Sequence, residues 1–152
     1  MIIARALNSH RLVMLCLVAL PLGAGACGGA SGKPAGAPPP THEYVAKLSG
    51  SAAPNRGAVG GRGFVVIALR DPSHQVCWRF AHLHGFIDAT TASIDAGTGT
   101  TMVALSTAPR LHHRGCVSTN VAVLRAIAGD PAAYFVRIRS IAYPAGAVRG
   151  QL

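Results

Sequence analysis

The sequence predicts an all-β domain: an antiparallel β-sandwich or barrel-like sheet with one short helix before a C-terminal hairpin. Three observations predict it. From His42 onward, short apolar runs are separated by Gly, Pro, Asp and Ser, the spacing expected of sandwiches and barrels. Several runs alternate apolar and polar residues with the period of two that a half-buried strand shows. One segment alone, around residues 118–131, repeats its apolar residues at helical spacing instead.

The elements follow in chain order. "EYVAKLSG" places Tyr44, Ala46 and Leu48 on one face, and "GFVVIALRDP" is a strand ended by the Asp71-Pro72 turn. "HQVCWRFAHLHGF" puts Val76, Trp78, Phe80, His82 and His84 on one parity, with Trp78 and Phe80 as core or sheet-face residues. "TASIDAG" and "TTMVALS" supply two more strands. In "STNVAVLRAIAGDP", Val121, Leu124 and Ala128 share a helical face. Ser118 or Thr119 caps its start, Gly129 ends it and Pro131 stops its continuation. That helix should pack over an end or edge of the sheet. "AYFVRIRSIAY" and "AVRGQL" close the chain, joined through "YPAGA", where Pro144 and Gly146 suit a tight connection.

Residues 1–26 read as a signal peptide. Arg5 and Arg11 precede an uncharged core, "LVMLCLVALPL", and the small residues "GAGAC". That core is too short for a bilayer span, which needs roughly 20 apolar residues. Ala24-Gly25-Ala26 fits ordinary cleavage. With Cys27 the same residues resemble a bacterial lipobox, although Ala stands where Leu is usual. The reading favours lipidation of Cys27, followed by a Gly/Ala/Pro-rich linker over residues 27–41 that is unable to bury a core. The β-domain then covers residues 42–152. The protein is expected to be extracytoplasmic, either a membrane-anchored lipoprotein or freely secreted.

Four cysteines are present. Cys16 lies within the signal and Cys27 at its end, which leaves Cys77 and Cys116. An even pair in an exported domain reads as a disulfide, with Cα atoms about 4.4 to 6.8 Å apart. The alternative is two buried free thiols. No Cys-x-x-Cys motif supports thiol redox catalysis.

The charge balance is lopsided, 14 Lys and Arg against 5 Asp and Glu. No basic run or basic helix concentrates it; only Arg137 and Arg139 share a strand face. Nucleic acid is therefore not an expected partner. The surplus reads either as GC-rich codon usage or as attraction to anionic surface polymers or lipid headgroups. The acids form no carboxylate pair, and no Gly-x-Ser-x-Gly elbow or phosphate-binding glycine motif occurs. No enzyme is expected, and no cofactor.

The closing "YFVRIRSIAYPAGAVRGQL" resembles the terminal signature of the CHRD domain, the module named after chordin. Tyr134, Val136, Ile138, Tyr143, Pro144, Gly146, Arg149, Gly150, Gln151 and Leu152 fit that signature. "YVAKLSG" resembles the family's first strand, and "GCVSTNVAVLRAIAGDPAAYFV" its passage from helix to strand. The resemblance spans residues 44–152. It implies an exported domain, many bacterial members of which have no assigned activity. It also implies a Cys before the helix and another on an earlier strand, matching Cys116 and Cys77. The family's His-x-His pair and a third His align, on spacing, with Ser93, Asp95 and Arg139. Asp95 and Arg139 then either form an ion pair across the sheet or point separately into solvent.

The expected function is a non-enzymatic, lipid-anchored CHRD-type domain that binds an extracellular protein or cell-envelope polymer. The alternative is a metal-binding or redox protein on a sandwich like that of Cu/Zn superoxide dismutase, using His82 and His84, with His112 and His113 in a loop. Two histidines without a third ligand at diagnostic spacing read first as structural or surface residues.

Overall fold

A computed structural model describes residues 41–107 and 109–152. The expected signal segment, Cys27 and all but the last residue of the linker lie outside the described residues.

The elements are β1 (His42–Ser49), β2 (Arg62–Arg70), β3 (Gln75–His84), β4 (Ala89–Ala96), β5 (Thr101–Ser106), β6 (Arg114–Ser118), α1 (Val121–Gly129), β7 (Tyr134–Ser140) and β8 (Val148–Gln151). The strands form one antiparallel sheet in the order β5-β4-β7-β8-β1-β2-β3-β6, rolled into a nearly closed barrel. At the seam between the end strands, the His112 amide donates to Ser106 Oγ at 3.0 Å. The Leu111 amide donates to the Ala89 carbonyl at 2.9 Å.

Alternation decides which side chains enter the barrel. Ala46 and Leu48 of β1, Val65, Ile67 and Leu69 of β2, and Val136 and Ile138 of β7 are all buried in one core. Trp78 and Phe80 belong to it too. The Trp78 indole N–H donates to the His112 carbonyl at 2.9 Å, which gives its polar edge a partner inside an apolar setting. The C-terminal hairpin forms as expected, with Arg137 opposite Arg149. The glycine of the closing "RGQL" has a steric reason: a Cβ on Gly150 would stand 2.4 Å from the Lys47 carbonyl oxygen.

The helix forms where its periodicity places it and inserts Leu124 and Ile127 into the core. Its cap is neither Ser118 nor Thr119. Ser118 is the last residue of β6, and Asn120 caps the helix by accepting from the Ala122 amide at 2.8 Å. Asn at this position satisfies an amide that the first helical turn leaves unpaired.

Strand β6 was not expected. Its five residues pair with β3 and set Cys77 directly opposite Cys116, and the two are disulfide-bonded. Their Cα atoms are 4.0 Å apart, closer than the expected range. Directly opposed residues of a non-hydrogen-bonded antiparallel pair lie about 4.5 Å apart, close to this separation.

A second correction concerns β3. Phe64 pairs with Ala81 but Arg62 pairs with His84, so His82 and Leu83 together face the single residue Gly63. His82 is the bulged residue, with φ of 51°. The extra residue reverses the alternation. Leu83 packs against the core, while His82 and His84 are exposed rather than inward with Trp78 and Phe80.

Candidate functional site

The outer face of β4 and β7 holds a polar cluster. Ser93 and Asp95 are each about 2 % exposed although they lie on the outside of the barrel. What covers them is arginine. Asp95 forms its ion pair with Arg137, not with Arg139, and Thr101 Oγ1 donates to Asp95 Oδ1 at 2.9 Å. Arg139 donates instead to Ser93 Oγ at 3.1 Å.

The register explains the shift. Arg137 lies opposite Ser93 and Arg139 opposite Thr91. Asp95 is therefore a diagonal neighbour of Arg137, within reach at about 7 to 8 Å between backbones, and Arg139 is a diagonal neighbour of Ser93. From Arg139 to Asp95 is one further step of the ladder. Each arginine serves the residue one diagonal away.

Ser93, Asp95 and Arg139 do gather in one place, joined by Arg137. Arg137 also donates to the Ala145 and Gly99 carbonyls at 3.3 and 3.4 Å, while its buried Nε has no hydrogen-bond partner among the described residues. Burial pushes the Arg139 guanidinium down from its ordinary value and the charge of Arg137 adds to this, with Asp95 opposing. Two guanidinium groups stand near one carboxylate, and only that of Arg137 pairs with it.

The positive surface continues around the barrel. Arg137 of β7 lies opposite Arg149 of β8, Arg149 opposite Ser49 of β1, Ser49 opposite Arg62 of β2, and Arg62 opposite His84 of β3. One row of paired positions across five neighbouring strands thus reads Arg, Arg, Ser, Arg, His. The Arg149 guanidinium rests 3.7 Å above the Phe135 ring, a contact that favours a cation. Of the five acids, Asp71, Asp88 and Asp130 lie in connections and Glu43 near the start of β1, while Asp95 pairs with Arg137 at the β7 end of the row.

At the β3 end of this row, Lys47, Arg62, Phe64, His82 and His84 line a groove of about 280 Å³. His82 meets the Phe64 ring edge-on, with centroids 6.5 Å apart. His112 and His113 lie elsewhere, in the β5–β6 connection. His113 lines a separate cleft of about 480 Å³ with Arg110, Asp88 and Phe86. Among the described residues, no three His, Cys, Asp or Glu side chains gather where they could hold a metal ion.

Sequence reasoning missed the row. Its members are far apart in the chain, and only the strand register brings them into line. The one legible sign was the Arg surplus.

Compared with protein-family models, curated proteins and solved structures, the chain matches none. Fold and surface define a class: a small disulfide-bonded antiparallel barrel with a cationic outer face. The disulfide is compatible with an extracytoplasmic location. Among the described residues, no helix is long and apolar enough to cross a membrane.

Proposed function

We propose that the protein is an exported, lipid-anchored, non-enzymatic domain of the CHRD type that binds an anionic cell-envelope polymer. The observation that carries this reading is the row Arg137, Arg149, Arg62 and His84 across adjacent strands. Like charges directly opposite one another destabilise an antiparallel pair. Asp95 offsets only one of them. Neighbouring strands lie about 4.8 Å apart, so a chain of anionic groups laid across them meets the basic side chains of Arg149 on β8, Arg62 on β2 and His84 on β3 in turn. The export signal read from residues 1–26, Cys27 and the Cys77–Cys116 disulfide support placement outside the cytoplasm. The closing residues, Tyr143 to Leu152, support the CHRD assignment.

Retention of the purified protein on insoluble envelope material tests the reading. Retention should fall steeply as salt rises from about 50 to about 500 mM, because the Debye length shrinks below the strand spacing. Arg62→Gln with Arg149→Gln should weaken it about tenfold. Salt-insensitive retention, or no effect of the double variant, would count against an electrostatic polymer site.

A further inference from the structure

We propose that the groove lined by Lys47, Arg62, His82 and His84 seats a phosphate group of such a polymer, and that its two histidines make the binding stronger as pH falls. This deepens the polymer-binding reading and rests on it. Three strands build the groove: Lys47 comes from β1, Arg62 and Phe64 from β2, and the histidines from β3. Lys47 lies opposite Phe64, and Arg62 opposite both Ser49 and His84. All four basic side chains are exposed.

The bulge in β3 is what assembles them. A non-glycine residue at a φ of 51° occupies a disfavoured region of backbone space. Without the extra residue, strict alternation would send His82 and His84 inward behind Phe80. With it, Leu83 takes the inward place and both imidazoles face the groove. Bulges recur where a sheet must re-aim a side chain, and here the re-aimed side chains join a lysine and an arginine.

The charges around the groove leave it short of an anion. Toward β6, Arg79 lies opposite Arg114, and the carbonyl of His113, just before β6, accepts from the Phe80 amide at 2.7 Å. Toward β8 lies Arg149, opposite Ser49. Glu43 is the one acid on the outer face of β1, four residues from Lys47 and opposite Ala68. No carboxylate lines the groove itself.

Phosphate fits better than carboxylate for a geometric reason. A carboxylate offers two oxygens, which one guanidinium fork can satisfy. Here donors converge from three strands, one a forked guanidinium and the others point donors, a set suited to a group with oxygens in several directions. Imidazoles gain a proton between about pH 8 and pH 5, whereas a phosphodiester stays anionic throughout. Each proton gained adds a positive charge to a groove that contains no negative one.

The test uses the full protein and inorganic polyphosphate, with polygalacturonate and phosphatidylglycerol vesicles as competing probes. Affinity for polyphosphate should rise about tenfold from about pH 7.5 to about pH 5.5. His82→Gln with His84→Gln should abolish that rise. Lys47→Gln with Arg62→Gln should weaken binding about tenfold at both pH values. All four side chains are exposed, so these replacements leave the core intact, and retention of the disulfide and the thermal transition checks this. Preference for polygalacturonate or for vesicles over polyphosphate would overturn the proposal, as would pH-independent binding. Unchanged polyphosphate binding in every groove variant would overturn the groove and leave the cationic face standing. No polyanion binding at any pH would overturn both.

Discussion

Two residues apart on one strand face, Arg137 and Arg139 do different work. Arg137 neutralises a carboxylate that is almost wholly buried, its own side chain being 13 % exposed and that of Asp95 3 %. Arg139 has Ser93 as a partner, and burial together with Arg137 holds its guanidinium below the ordinary value. A base lowered in this way is less favourably charged in the folded than in the unfolded protein. The resulting loss of stability is present throughout the pH range below the folded value, and is relieved only as pH rises through it. Arg137→Gln would leave Asp95 with Thr101 alone and should cost about 3 kcal/mol, the usual order for orphaning a buried charge. Arg139→Gln should change stability by no more than about 0.5 kcal/mol in either direction. Urea unfolding of the two variants checks the contrast, and equal losses would mean that the two arginines share the carboxylate. The residue types of this cluster could be read from the chain, but the choice of partner could not. It turns on a diagonal offset of one ladder step, which only a known register supplies.

Elements were legible in proportion to the strength of their own patterns. Strands β1, β2 and β7 bury every second side chain, and α1 turns its apolar residues to one side, so local periodicity sufficed. Strand β6 has neither advantage. It is five residues long, none of them buried, and runs directly into the helix cap. Its place comes from pairing with β3 and from the disulfide. The bulge was hidden for the opposite reason: "FAHLH" alternates as an unbroken strand would, and nothing in it marks where one residue loops out. Because the disulfide fastens a short end strand, its contribution can be isolated. Removing a link that closes 39 residues should lower unfolding free energy by about 4 kcal/mol in the chain-entropy account. Cys116 is exposed, so a reductant can reach the bond in the folded protein. Urea midpoints for oxidised protein, reduced protein and Cys77→Ser with Cys116→Ser should show the last two together and well below the first. A midpoint unmoved by reduction would mean that β6 pairing alone holds the strand.

At the scale of the whole molecule, the dispersed basic residues of the chain become a directional feature once the sheet closes. The 75 positions between Arg62 and Arg137 (137 − 62) collapse to three strand spacings around the barrel. On the proposed reading, the anchor and the cationic face would supply two separate attachments, one to lipid and one to polymer. The two attachments respond differently to salt, because acyl burial is hydrophobic and polymer contact is electrostatic. In cell fractions, the wild-type protein should therefore stay with membranes through a wash at about 1 M salt, where the Debye length is about 3 Å. Cys27→Ser should be released by the same wash but retained at low salt, held by its polymer contacts alone. If Cys27→Ser resists the wash as the wild type does, attachment does not run through Cys27. If the wild type is itself released, polymer contact is the only hold and the protein is not acylated.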